Sequence, residues 1–298
     1  MKKLVSLAVS AVSAFTLLAS FSTSAASTPS YCPKMYFKAS KADGIHPQSN
    51  RRVYINSKDI NDKADISFNI GSYVSDTKKQ LFYMIALWDS TDKSIKLSGL
   101  KDPQSGDNKR AYNSIPGIIS YDDSNFMSVT YSSGFSVKPF TLNGEKSDSY
   151  PFAVFNATIP SDIPIGIHPI KFYTSDEPFV SSEKTMMSRL SLNDGSDKSL
   201  SPNPAQKDAE PLNIAVSDRI LGDIDGDGVY RADDASSILR AYTLVSSNKP
   251  SGLSEAQMIA ADVDGDGYIS ASDASYVLNY FTYLSSFGKK DIYEYFGY

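Results

Sequence analysis

The chain has 298 residues, of which 41% are apolar, 12% aromatic and 21% charged; this is room for about two domains with a sizeable core, and it excludes general disorder. No heptad or glycine-triplet period runs through it, so a coiled coil and a collagen are excluded as well. The net charge of −5 argues against a nucleic-acid binder, which has to neutralise phosphate.

The first residues, Met1-Lys2-Lys3, are basic. Leu4 to Phe21 is an apolar run, and Thr23-Ser24-Ala25-Ala26 supplies small residues before a cleavage point. This layout predicts a secretory signal peptide over residues 1–26 and an extracellular destination. Serines at 6, 10, 13 and 20 interrupt the run, which falls short of the ~20 apolar residues of a membrane span. No later stretch is apolar enough to cross a bilayer, so no membrane span is expected. The only cysteine, Cys32, follows Tyr31 rather than a small residue, which disfavours a lipid anchor. A single cysteine also leaves no intrachain disulfide and no cysteine-based zinc site.

From Lys34 to Val216 the pattern is β throughout. Arg52-Val-Tyr-Ile55, Ile66 to Ile70, Leu81 to Trp88, Phe126 to Tyr131, Phe152 to Ile159 and Ile165 to Tyr173 are separated by clusters of Gly, Pro, Asp and Asn. Ile66, Phe68 and Ile70 fall on one face of a period-two strand. Asn193 to Glu210 reads as a solvated loop, and Pro211 to Val216 as one more strand. Many short strands without a helical period predict an all-β sandwich over residues 27–217.

The acidity sits almost wholly in residues 218–298, which hold 13 acidic against 6 basic residues. This part also repeats itself. The stretch from Leu221, Leu-Gly-Asp-Ile-Asp-Gly-Asp-Gly, realigns with the stretch from Ala260, Ala-Ala-Asp-Val-Asp-Gly-Asp-Gly. A helical stripe follows each copy: Ile238, Leu239 and Tyr242, then Val277, Leu278 and Phe281. Between the copies Ser254-Glu-Ala-Gln257 has the form of a capping box and predicts a short helix carrying Met258 and Ile259 into the same core.

Calcium takes six to eight oxygens at about 2.3–2.6 Å, and an EF-hand type loop supplies them from fixed positions with a glycine at the sixth for the turn. Both copies fit. The first offers Asp223, Asp225, Asp227 and Asp234 as carboxylates and Val229 as a carbonyl. The second offers Asp262, Asp264, Asp266 and Asp273, the carbonyl of Tyr268, and Ser270 at the ninth position, where a hydroxyl can hold a water. Arg231 stands at the ninth position of the first loop and donates no oxygen. The closing residue of each loop is Asp rather than Glu. Isolated Asp-Gly runs are often surface turns, but two matches in register, each opening an apolar helix, predict two calcium ions.

The duplicated Asp-x-Asp-x-Asp-Gly loop, each copy followed by a helix and only the second preceded by one, resembles a type I-like dockerin over residues 218–298. The resemblance implies a small all-α, calcium-folded module with two F-hand loop-helix repeats, which binds a cohesin domain of a scaffoldin in cellulosome assembly. It further implies a contact surface of Ala232, Asp233, Leu239 and Arg240 from the first repeat and Ala271, Ser272, Leu278 and Asn279 from the second. These residues depart from the Ser-Thr pair familiar in that family.

In the β region, Phe155 to Phe172 resembles the cohesin segment in which a strand is followed by a Gly-x-(Tyr)-Pro turn into the next, and Leu81 to Asp89, ending in Trp88-Asp89, resembles an earlier cohesin strand ending in aromatic-Asp. That implies a jelly-roll sandwich receiving the dockerin of another protein, and hence a non-catalytic adaptor scaffoldin. Two alternatives stay open. A carbohydrate-binding module could use Trp88 and the many tyrosines as a stacking platform. A small glycoside hydrolase would need two carboxylates about 5–9.5 Å apart, yet Glu145, Glu177, Glu183 and Glu210 all sit in turn-like contexts, and Asp89 and Asp122-Asp123 look like turn residues. His46 and His168, each followed by proline, read as loop residues, so the sequence favours no enzyme.

Overall fold

The computed structural model describes residues 33–298 other than 50, 61–62, 75–79, 102–113, 122–123, 133–139, 142–152, 175–177, 181–184, 187, 194–198 and 201–210. The expected signal peptide, Cys32, Asp122-Asp123 and the four glutamates named above lie outside these residues. Sixteen strands are described: β1 (Pro33–Ala39), β2 (Ile45–Ser49), β3 (Arg52–Asn56), β4 (Lys63–Val74), β5 (Gln80–Ser90), β6 (Lys96–Lys101), β7 (Ser114–Tyr121), β8 (Ser124–Ser132), β9 (Phe140–Thr141), β10 (Ala153–Pro160), β11 (Gly166–Phe172), β12 (Phe179–Val180), β13 (Thr185–Met186), β14 (Arg189–Asn193), β15 (Ser199–Leu200) and β16 (Leu212–Ser217). Four helices follow: α1 (Ala232–Ser246), α2 (Glu255–Ala261), α3 (Ala271–Ser285) and α4 (Ile292–Phe296).

The strands form a sandwich. One sheet runs β1-β4-β10-β6; a second runs β15-β14-β5-β11-β16-β3-β2, with β8 and β9 also paired to β5 and β7 paired to β8; β12 and β13 pair only with each other among the described residues. Period-two burial explains the layering. Along β10, Ala153, Phe155, Ala157 and Ile159 are buried while the residues between them are half-buried. Phe37 of β1 stacks on Phe172 of β11 at 4.3 Å and meets Phe155 edge-on at 6.0 Å, tying one layer to the other. Trp88 is fully buried in this core, so it is no platform for a sugar.

β3 and β16 are buried on both faces and contribute to two cores. In β3, Val53 and Ile55 enter the sandwich core, whereas Tyr54 joins the core of the helical segment. Leu212, Ile214 and Val216 of β16 point into the sandwich, and Ala215 points the other way. β3 and β16, paired in parallel, are therefore a wall shared by both cores, and Tyr31–Tyr298 is one compact unit.

The histidines correct the sequence reading, because both lie in strands. His46 is in β2, opposite Tyr54. His168 is in β11, opposite Ile214. The proline after His168 is tolerated because its carbonyl accepts from Thr91 N, past the end of β5, so the donor it lacks faces a turn rather than a ladder carbonyl.

The helices start where capping chemistry allows. Ser254 and Gln257 close the expected capping box of α2, and Ser270 with Asp273 does the same for α3. The buried stripe is Ala235, Ile238 and Ala241 on α1 and Ala274, Val277 and Tyr280 on α3. Met258, expected inward, is instead exposed, as are Leu239, Tyr242 and Leu278 of the helical stripes, and Phe281 is half-buried. Each of the two leucines follows a buried residue directly, and one residue turns a helix by about 100° away from the buried face. Among the described residues no helix is long and apolar enough to cross a membrane.

Candidate metal centres

The first acidic loop is folded by its own carboxylates. Asp223, 1% exposed, accepts from Gly226 N at 2.8 Å through Oδ1 and from Gly228 N at 2.9 Å through Oδ2. Asp225 and Asp227 accept from the amides of Asp227 and Val229 at 3.0 and 2.8 Å. Such turns need a left-handed backbone at Gly226 and Gly228, both with φ of 78°. Carboxylate oxygens of Asp223, Asp225 and Asp227 come within 4.8 Å of one another. Asp234 stands apart from that cluster: its oxygens take the amides of Ile224 and Arg231, both at 2.9 Å, and so brace the two ends of the loop. Arg231 pairs with Asp227 and holds that carboxyl below its usual range. Burial pushes the Asp223 carboxyl up.

The second loop gathers a different trio, Asp262, Asp264 and Asp273. Asp273 is fully buried and accepts from the amides of Val263, Asp264 and Ser270 and from Ser270 Oγ. Ser270 thus spends its hydroxyl within the chain. Asp266 accepts from Tyr268 N at 2.8 Å and lies outside the trio. Burial raises the carboxyls of Asp264 and Asp273. Asp262, 3% exposed, accepts from Gly267 N at 3.0 Å through Oδ2, and its buried Oδ1 has no partner among the described residues. An orphaned carboxylate oxygen inside a cluster of hard oxygen donors suits calcium better than a metal that prefers nitrogen or sulfur.

Residues 221–282 match the family model of the dockerin type I domain. The sandwich is similar to cohesin modules among solved structures. These include the seventh type I cohesin of ScaB from Pseudobacteroides cellulosolvens, at 9% identity and a TM-score of 0.38, covering 63% of this chain and 93% of that one. A type III cohesin of the ScaE anchoring scaffoldin of Ruminococcus flavefaciens is 13% identical with a TM-score of 0.38, over 64% and 90%. A cohesin–dockerin complex of OlpA from Clostridium thermocellum is 13% identical with a TM-score of 0.36, over 62% and 99%. No curated protein matches the chain.

On the dockerin segment the residues expected to meet a partner, Ala232, Asp233, Leu239 and Arg240 with Ala271, Ser272, Leu278 and Asn279, are all exposed. Val229 and Tyr268, expected to offer carbonyls, hold their side chains in solvent. The opposite side of the segment is covered by the sandwich, which the sequence did not indicate. Tyr54 Oη donates to Arg219 O at 2.8 Å, Ser217 Oγ to Ala256 O at 3.0 Å, and the His46 ring stacks on Tyr293 at 3.5 Å. Burial raises the Tyr54 hydroxyl and lowers the Arg52 guanidinium to about 10. The one signal in the sequence was Arg52 itself, a cation at the head of an apolar strand.

Proposed function

We propose that this chain is a secreted, non-catalytic adaptor scaffoldin, with a signal peptide over 1–26, a receiving sandwich over 27–217 and a dockerin over 218–298. Two calcium ions hold the dockerin loops through Asp223, Asp225, Asp227 and the carbonyl of Val229, and through Asp262, Asp264, Asp273 and the carbonyl of Tyr268. Asp234 and Asp266 complete the acidic sets, and Ser270 braces Asp273. Bound calcium would supply the positive charge that lets these carboxylates lie side by side, so ion binding stabilises the folded loops. The dockerin then plugs into a cohesin of a larger scaffoldin, and the sandwich receives the dockerin of another protein in the cellulosome.

The observation that carries this reading is the free face of α1 and α3. Their inner stripes are buried in the segment's own core, while both helices present matching positions outward, Leu239-Arg240 on one and Leu278-Asn279 on the other. An apolar residue beside a polar one, repeated on two helices, is what a protein partner can grip. The buried Trp88 weighs against the carbohydrate-binding alternative.

Capture assays with the chain from residue 27, run against cohesin modules, dockerin-bearing proteins and insoluble polysaccharides, test the reading. Calcium-dependent retention on a cohesin, together with capture of a dockerin by the sandwich, is expected. Retention on polysaccharide alone would favour a carbohydrate-binding module. Turnover of cellulose, xylan, mannan or pectin that vanishes on changing one carboxylate would make the protein an enzyme.

A further inference from the structure

The second calcium loop does not stand alone. Arg52 of β3, 4% exposed, pairs through Nη1 with Asp262 Oδ2 and donates through Nη2 to Ile259 O at 2.8 Å, at the end of α2. Beside it, Gln48 Nε2 donates to the carbonyls of Asp262 at 3.2 Å and Val263 at 2.9 Å. The first loop receives its arginine from within, as Arg231 on Asp227. The second has Ser270 at that position, and its arginine comes from the sandwich.

We propose that Arg52 is a positioning residue of the second calcium loop, contributed by the sandwich, so that cation binding there and seating of the dockerin on β2 and β3 strengthen one another. The inference rests on the calcium reading above. Arg52 and Gly267 N both engage Oδ2 of Asp262, which leaves the buried Oδ1 for the ion. The guanidinium fork fixes the carboxylate from one side and the end of α2 from the other, a geometry a lysine cannot copy. Charge does not forbid the pairing. Asp262, Asp264, Asp266 and Asp273 bring four negative charges, one more than Arg52 and a divalent ion together. Gln48 holds the loop backbone with no charge at all, so it lowers the ordering cost of binding without repelling the ion. By linkage the effect is mutual: whatever the docked sandwich adds to cation affinity, the cation adds to docking.

In terbium luminescence on the chain from residue 27 the part of the signal that disappears in Tyr268→Phe reads the second loop, because that ring sits in it, whereas Tyr230 belongs to the first. Arg52→Lys, which keeps the charge, and Gln48→Ala, which removes only backbone hydrogen bonds, are each expected to weaken terbium at the second loop by about tenfold, as loss of partners outside the metal's own ligand set commonly does. Unchanged or tighter binding in both variants overturns the proposal. Hydrogen exchange supplies the reciprocal test. Calcium should slow exchange in Arg52–Asn56 of the unaltered chain and of Asp225→Ala in the first loop, but not of Asp264→Ala in the second. Equal slowing in all three overturns the coupling. Failure of the unaltered chain to bind either ion would instead defeat the calcium reading itself, and this inference with it.

Discussion

The two acidic loops share their spacing and differ in what surrounds them. The first folds on itself: both oxygens of Asp223 are taken by glycine amides, Arg231 answers Asp227, and an open groove of about 670 Å³ lined by Asn56, Lys58 and Asp59 separates it from the sandwich. The second is pressed against β2 and β3, with Arg52 on its first carboxylate and Gln48 on its backbone. Tyr298 Oη holds the carbonyl of Val263 from the other side at 2.9 Å. Near-identical loop sequences are thus braced unequally by the rest of the molecule, and a loop's affinity reflects how its ligands are braced as well as which ligands it has.

Removing the cation is expected to have the largest effect. With a chelator, circular dichroism at the helical minimum should fall and the first thermal transition should drop well below its value in calcium, since a ligand at 1,000 times its dissociation constant stabilises by about 4 kcal/mol. Equal helicity and midpoints in both conditions would break the calcium reading. Asp262→Ala should then cost more stability than Asp223→Ala, because it also leaves the buried Arg52 without its carboxylate, worth about 3–5 kcal/mol. Denaturant melts of both variants in chelator check this. Adding Arg52→Met to Asp262→Ala should recover much of the difference.

The comparison extends to the proposed partner face, where Asp233 corresponds to Ser272 and Arg240 to Asn279, so the repeats differ in charge. One docking orientation is therefore expected to dominate. Changing Asp233 and Arg240 together to alanine, or Ser272 and Asn279 together, should lower cohesin affinity strongly in one case and little in the other; truncating a buried paired charge at an interface costs about 2–5 kcal/mol. Tolerance of both double variants, with loss only in the quadruple one, would show that the two orientations are equivalent.

The smallest effect is that of pH. The carboxyls of Asp223, Asp264 and Asp273 are raised by burial. Without calcium they bind protons more tightly folded than unfolded. Their contribution is fully present below the ordinary aspartate value and is lost as pH rises through the raised values. The exposed Asp227, held low by Arg231, works in the opposite direction but is screened by solvent. In chelator the melting temperature of the helical segment should therefore fall as pH rises from the ordinary aspartate value, near about 4, toward about 7. In calcium the slope should reverse, since the ion needs these groups deprotonated. Parallel slopes in the two conditions would refute this account.

Sequence alone determined the features whose causes are local. Period-two alternation located β3, β4, β5, β8, β10, β11 and β16, because each strand's pattern is written within its own few residues. The Ser254 capping box and the duplicated acidic loops were legible for the same reason, since their hydrogen bonds join residues close in the chain, as from Gly228 N to Asp223. Which residues of the helical stripes face the core was not legible at Leu239 and Leu278, since hydrophobicity names a residue type but not which of two neighbours the core covers. Tertiary structure decided the rest. That β3 has two buried faces, that His46 lies against Tyr293, and that Arg52 and Gln48 reach the second loop all depend on pairs far apart in sequence, 215 residues for Gln48 and Val263. No local pattern encodes such pairs, because they form only when the chain closes one domain's wall onto the other's core.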